Sequence, residues 1–219
     1  SNQMTKRIPH IEDAISGADA VSSYIEGHDE NHSAHYFGFF KELEKLSIQG
    51  RLLEIGSGPG ILTALMAKLY PHVEILALEP SSDMIDFATD YCEEAGLSNR
   101  VSFVQGSIDD RRNLKELGQF DLVYSTFSLH HWKHPQEAWR AMYSFVKENG
   151  RLLIHDLKRV PWLYHLPFQG GFFESIRAAY LPKEIEFMLS YANINDYRIK
   201  TPFPFFWMSV IANKPNKAA

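Results

Sequence analysis

Cysteine is almost lacking: Cys92 stands alone, which excludes an internal disulfide. Long apolar runs are missing too. A membrane-spanning helix needs roughly 18 consecutive apolar residues, and the longest candidate, Phe203 to Ala212, is interrupted by Pro204 and Ser209 and reads as a strand. No charged start leads into a short apolar stretch, so a cytoplasmic address and no membrane partner are expected. Basic charge is scarce: 22 Lys and Arg stand against 27 Asp and Glu, and no basic run exceeds the pairs Lys6-Arg7 and Arg111-Arg112. Such a chain is poorly equipped to neutralise a phosphate backbone, which sets nucleic acid aside as a partner. Repeats and low-complexity tracts are absent as well. Ser1 to Gln3, ahead of Met4, read as vector-derived and stay outside the fold argument.

What is present is 219 residues of 45% hydrophobic composition, enough for one substantial core and too little for two. From residue 51 onward, short runs of Val, Ile and Leu alternate with segments of helical period, the pattern of a parallel sheet with helical crossovers. Strands are expected at 51–55, 74–79, 101–105, 120–125 and 150–156. Helices are expected at Ile61 to Leu69, Ser82 to Ala95, near Arg112 to Leu117, and Pro135 to Lys147, with Ser81 or Ser82 capping the second and Gly96 closing it. An aromatic insertion follows at about 158–192, with a helical pair around Glu174 to Ala192. Two extended runs, Tyr197 to Thr201 and Phe205 to Ala212, suit antiparallel pairing at one sheet edge. Ahead of the sheet, residues 4–49 hold two expected helices, Ile11 to Glu26 and Ser33 to Leu46, which the sheet does not need for closure and which read as a lid. The expected fold is a Rossmann-like, doubly wound α/β sheet of seven strands, mostly parallel, with the binding domain over 50–214.

The strongest local signal is LLEIGSGPG at 52–60, a buried strand that runs into three glycines at alternate positions and then into a helix. Glycine suits such a turn because the backbone must take positive φ and approach a ligand without a Cβ in the way. The following helix N-terminus aims its free N–H groups into the same crevice. Glu79 ends the next strand 19 residues after Gly60, where a carboxylate can accept from both hydroxyls of an adenosine ribose. Dinucleotide fingerprints run GxGxxG, whereas this loop is GxGxG with Ile61 in the third glycine's place.

The segments EIGSGPG, LEPS at 78–81, FDLVYSTFSLHHW at 120–132 and GRLLIHDLKR at 150–159, in that order, resemble the class I S-adenosylmethionine-dependent methyltransferases, above all the group of ubiquinone and menaquinone biosynthesis methyltransferases. The resemblance covers about residues 50–156. It implies that Gly56, Ser57, Gly58 and Gly60 lie against the homocysteine part of S-adenosyl-L-methionine, with Glu54 orienting its amino group and Glu79 holding the ribose. Pro80, Ser81 and Met84 would flank the adenine, although a methionine there also serves as ordinary helix core. Where the family often carries Gly-Asp-Ala, this chain has Gly106-Ser107-Ile108-Asp109. Either Ser107 makes a weaker adenine contact or Asp109 reaches the exocyclic amine; a carboxylate accepts that bond better, unless Asp109 caps the next helix instead.

Ser125 and the rest of Tyr124 to His131 leave the fourth strand at its C-terminal end, the crevice side of an open α/β sheet, and should face the sulfonium and the methyl acceptor. His130 and His131 are the catalytic candidates, because a histidine near neutral pKa can take a proton from an attacking oxygen or nitrogen. A structural role for the pair is the competing reading. His155, Asp156, Lys158 and Arg159 end the fifth strand on the same edge, suited to substrate contact or to an ion-paired strand end. His28, His32 and His35 share a helix face, but the order HDENH lacks the HExxH arrangement; a polar lid helix is favoured and no metal is expected. The aromatic residues Trp162, Tyr164, Phe168, Phe172, Phe173 and Tyr180, with Gly170-Gly171 as hinge, suit a cover over an apolar or planar acceptor, a packed core or a homodimer interface. The resulting expectation is a methyltransferase for a small-molecule acceptor. A catalytically silent cofactor-binding scaffold and, behind it, a nicotinamide-dependent oxidoreductase are the alternatives.

Overall fold

The computed structural model describes residues 5–10, 17, 19, 36–110, 112–114 and 116–217. In chain order the elements are α1 (Phe37–Leu43), β1 (Arg51–Ile55), α2 (Ile61–Leu69), β2 (Glu74–Glu79), α3 (Ser82–Glu94), β3 (Val101–Gln105) and β4 (Phe120–Thr126). After a 3-10 turn at Leu129–His131 come α4 (Pro135–Ser144), β5 (Val146–Leu157), α5 (Pro161–Tyr164), α6 (Gly171–Ala178), α7 (Pro182–Tyr191), β6 (Tyr197–Lys200) and β7 (Trp207–Asn213). No helix among the described residues is long and apolar enough to cross a membrane.

The seven strands form one sheet in the order β3-β2-β1-β4-β5-β7-β6. Strands β1 to β5 pair in parallel, whereas β7 runs antiparallel to both β5 and β6. The two extended runs of the C-terminal region thus pair antiparallel at one side, with β7 inserted second from the edge. Parallel strands are covered on both faces, and the core is accordingly split in two. One cluster, with Leu53, Ile55, Val123, Trp139 and Ile154, lies toward α4 and α7; the other, with Leu52, Leu62, Met66, Leu122 and Tyr124, lies toward α1, α2 and α3. Cys92 belongs to the second cluster and is buried, as expected of an inert core thiol.

Three features depart from the sequence reading. The described residues between Arg112 and Leu117 form no helix; Asn113 instead closes a turn onto the Asp110 carbonyl (3.2 Å) and its side-chain amide donates to the Asp110 carboxylate (2.8 Å). Only Leu114 and Leu117 pack on the core there, too little apolar surface to support a helical turn. Second, α4 stops at Ser144 and β5 begins at Val146, earlier than expected. Val146 pairs with Phe120 and Arg151 with Leu122, so Lys147 to Gly150 bulge out opposite Asp121. Third, α1 ends at Leu43, short of the expected Leu46. Phe39 and Leu43 are completely buried in the second cluster, with Phe39 against the Tyr124 ring at 5.7 Å. The expected helix Ile11 to Glu26, apart from Gly17 and Asp19, and the histidines His28, His32 and His35 fall outside the described residues.

Candidate functional site

The C-terminal ends of β1, β2, β4 and β5 meet along one edge of the sheet. From β1 the chain enters the glycine loop, held to β2 by the Gly56 N–H donating to the Leu78 carbonyl at 2.8 Å. Gly58 has φ +54° and a Cβ added there would meet nothing within 4 Å, so this position faces open space. Gly60, at φ +81°, is crowded instead: a Cβ would lie 2.7 Å from that of Ala88. One glycine thus leaves room for a ligand and the other lets α2 approach α3. Beside them Ser57 is buried, and its hydroxyl has no hydrogen-bond partner among the described residues.

Glu79 reaches back over this loop. Its carboxylate accepts from the Gly58 N–H at 3.0 Å and from the Ser81 N–H at 2.6 Å. Burial pushes its pKa upward, opposed by those two backbone bonds. Ser81 caps α3 by accepting from the Met84 N–H at 3.2 Å, and Met84 is buried. Pro80 is exposed, and its carbonyl accepts from the Gln105 side chain at 3.1 Å.

Glu54 is buried, with Oε1 accepting from the Tyr124 hydroxyl at 2.7 Å and Oε2 from the Thr63 hydroxyl at 3.1 Å. Burial pushes its pKa up to about 7, more than those two hydrogen bonds pull it down. Ser125 donates to the Ile55 carbonyl at 2.8 Å and is buried, so it ties β4 to β1 beneath the loop. Ser107 donates to Asp109 at 2.7 Å, and the second Asp109 oxygen accepts from the His134 N–H at 3.1 Å. Asp109 therefore fastens the start of α4, the helix after the next strand and not the one expected at 112–117. Ile108 sits in the first core cluster.

His130 is buried and gripped by Asp156. One Asp156 oxygen lies 2.7 Å from His130 Nδ1, and the other accepts from the His130 backbone N–H at 3.0 Å. The opposite nitrogen, Nε2, is buried with no hydrogen-bond partner among the described residues. The His131 ring packs tilted against that of His130, with centroids 3.9 Å apart, and its Nδ1 lies 3.0 Å from the His10 carbonyl. Arg7 adds a strap, donating to the His130 carbonyl at 2.9 Å with its guanidinium 4.1 Å over the Tyr180 ring. His155 points elsewhere. Its Nδ1 pairs with Ser209 at 2.8 Å, and burial lowers its pKa to about 4. The buried Arg159 forms an ion pair at 3.0 Å with the partly exposed Glu184, so the end of β5 supplies one site partner, Asp156, and otherwise structural contacts.

Residues 53–154 match the family model described as a methyltransferase domain. Over these residues, a little under half of its length, the chain is similar to methyltransferases. Over 122 residues it is 31% identical to the ubiquinone/menaquinone biosynthesis C-methyltransferase UbiE of Pseudomonas aeruginosa, covering 55% of this chain and 47% of the relative. The ubiquinone biosynthesis O-methyltransferase of Xanthomonas axonopodis pv. citri is 30% identical over 121 residues, covering 55% and 48%. The chain thus spans about half the length of these curated relatives. Among solved structures, a methyltransferase from Methanococcus maripaludis superposes with a TM-score of 0.71 at 20% identity, covering 96% of this chain and 98% of that one. A second, from Aquifex aeolicus, gives 0.69 at 19% identity with 87% and 96% covered. These two establish the likeness of fold.

Sequence reasoning missed three partners in the site: Tyr124 and Thr63 on Glu54, and Asp156 on His130. Glu54 and Tyr124 occupy paired positions of neighbouring parallel strands, so a strand register would have revealed the first. The others depend on turns that leave no sequence signal.

Proposed function

We propose that this chain is an S-adenosylmethionine-dependent methyltransferase acting on a small-molecule acceptor. The observation that carries the reading is Glu79, the acidic end of β2, bonded to the open Gly58 of the glycine loop beside the orphaned Ser57 hydroxyl. Those residues fit the cofactor: open space over Gly58, an unpaired buried hydroxyl and a carboxylate able to exchange backbone donors for ribose hydroxyls. When bound, the cofactor supplies an electrophilic methyl group on a sulfonium sulfur.

The chain's own residues then have distinct tasks. Gly56, Ser57 and Gly58 hold the amino-acid end while Gly60 packs α2 against α3 behind them, Glu54 faces the ligand's ammonium, and Glu79 takes the ribose. Pro80, Ser81, Met84, Ser107, Ile108 and Asp109 shape the adenine end, with Ser125 bracing the floor. His130 serves an acceptor that must lose a proton: Asp156 on Nδ1 leaves Nε2 as the nitrogen able to accept one. His131 and the His10 carbonyl border the same turn. Positioning alone supplies much of the rate for a nucleophile that needs no deprotonation. The acidic balance of the chain supports a small molecule over nucleic acid as acceptor, and a cytoplasmic setting agrees with that chemistry.

The test has two stages. Thermal melting with S-adenosylhomocysteine should raise the midpoint while NAD leaves it unchanged, because only a ligand of the folded state stabilises it. Formation of S-adenosylhomocysteine from S-adenosylmethionine is then followed over a panel of phenols, amines and quinols. Stabilisation by NAD alone, or cofactor binding without turnover across a broad panel, would count against the reading.

A further inference from the structure

Glu54 poses an electrostatic problem that the reading above does not resolve. It is a carboxyl group 3% exposed, and its two oxygens meet hydroxyl donors only. No Lys or Arg among the described residues is paired with it. The groups around it offer no positive charge: Tyr124 on β4, Thr63 on α2, Glu79 on β2 and Cys92 on α3. On α1, Phe39 covers Tyr124, and Glu42 is taken up by Lys45 and Lys200. A buried carboxylate with no counter-ion and a second carboxyl group nearby favours its protonated form. It also stands two residues ahead of Gly56, where the proposed function places the positively charged amino-acid end of the cofactor.

Resting on that reading, we propose that burial without a counter-ion keeps Glu54 a proton-bearing acid, poised for ionisation by the Tyr124 and Thr63 hydroxyls, until a cationic ligand docks at the glycine loop, and that docking expels this proton to solvent. The step balances simply. The Glu54 carboxyl loses one proton to the buffer, the carboxylate left behind faces the ligand's ammonium, and both hydroxyls keep donating to it. Tyr124 and Thr63 are positioning residues here, because they act through Glu54. They set how readily it ionises, since a hydroxyl bonded to a carboxylate favours the charged form. The upward pKa of Glu54, to about 7, places the exchange in the neutral range.

The experiment is calorimetric titration of the full chain with S-adenosylhomocysteine at several pH values, each in two buffers of different ionisation enthalpy, which yields the protons released per ligand bound. The difference between native protein and Glu54→Gln should be about half a proton at pH 7, approaching one at pH 6. Tyr124→Phe keeps the ring against Phe39 but removes the hydroxyl, and should move the release curve to higher pH; Thr63→Val should do the same. A merely structural role for either hydroxyl would leave that curve in place. Equal release in native and Glu54→Gln protein overturns the proposal. If Glu54→Gln does not fold, an unshifted curve in Tyr124→Phe and Thr63→Val overturns it equally. Binding without Glu54-dependent release sinks this inference and leaves the cofactor assignment standing. No binding of S-adenosylhomocysteine at all sinks both.

Discussion

Asp156 and His130 are locked by a two-point contact: the carboxylate meets both Nδ1, at 2.7 Å, and the backbone N–H, at 3.0 Å, of the same histidine. Such a grip fixes the ring's orientation and its tautomer together. Asp156→Asn should therefore lower turnover of an ionisable acceptor at least tenfold, while S-adenosylhomocysteine affinity stays within about twofold. Steady-state kinetics beside calorimetry separates the two effects. An equal loss in both would make Asp156 a fold residue alone.

Glu79 is the second point of leverage, because its carboxylate already meets the Gly58 and Ser81 N–H groups. Glu79→Ala should weaken S-adenosylhomocysteine binding by about 1.5 to 3 kcal/mol, about 12- to 140-fold, through lost ribose bonds and a slackened loop. Calorimetric affinity unchanged from the native chain would remove Glu79 from the site.

Gly58 and Gly60 should fail in different ways. Gly58→Val places its side chain in open space, so the cost to folding is limited to backbone strain of about 1 to 2 kcal/mol, yet binding is lost. Gly60→Ala drives a methyl into Ala88 at 2.7 Å on a left-handed backbone and should cost about 2 to 4 kcal/mol of stability. Denaturant melts and ligand titrations on both variants check the contrast.

Two buried groups impose opposite pH dependences. His155 has its pKa lowered from 6.5 to about 4 by burial, so its neutral form is favoured by the fold. The stability it contributes is full above pH 6.5 and is lost as pH falls toward 4, about 3 kcal/mol in all. Glu54 is raised from 4.5 to about 7, and its contribution is full below pH 4.5 and lost as pH rises toward 7. His155→Asn should thus flatten the acid side of the stability profile, and Glu54→Gln should remove the loss of stability that Glu54 causes as pH rises toward 7. Urea midpoints from pH 4 to 8 measure both.

Much of the fold was legible because β1, β2 and β4 are buried on both faces and so appear as unbroken apolar runs. The glycine loop and Glu79 were legible for a similar reason, since each role demands one residue type at one strand end. What escaped depends on surroundings. Periodicity shows that a helix covering Phe37 to Leu43 has an apolar face, but not that Phe39 seals Tyr124 beneath it. The segment after Asp110 carries enough leucine to suggest a helix, yet its Asp-Asn turn competes successfully. The pairs Glu54–Tyr124 and His130–Asp156 join residues 70 and 26 positions apart, the first through a strand register and the second through a turn after β4, both supplied only by the folded chain.

The central claim is that the glycine loop and Glu79 form one cofactor site, and titration of the native chain with S-adenosylhomocysteine and, separately, with NAD tests it most directly. The account predicts one saturable site per chain for S-adenosylhomocysteine, lost in Gly58→Val and weakened in Glu79→Ala, with no heat from NAD. Binding of NAD in its place, or S-adenosylhomocysteine affinity indifferent to both substitutions, would contradict it.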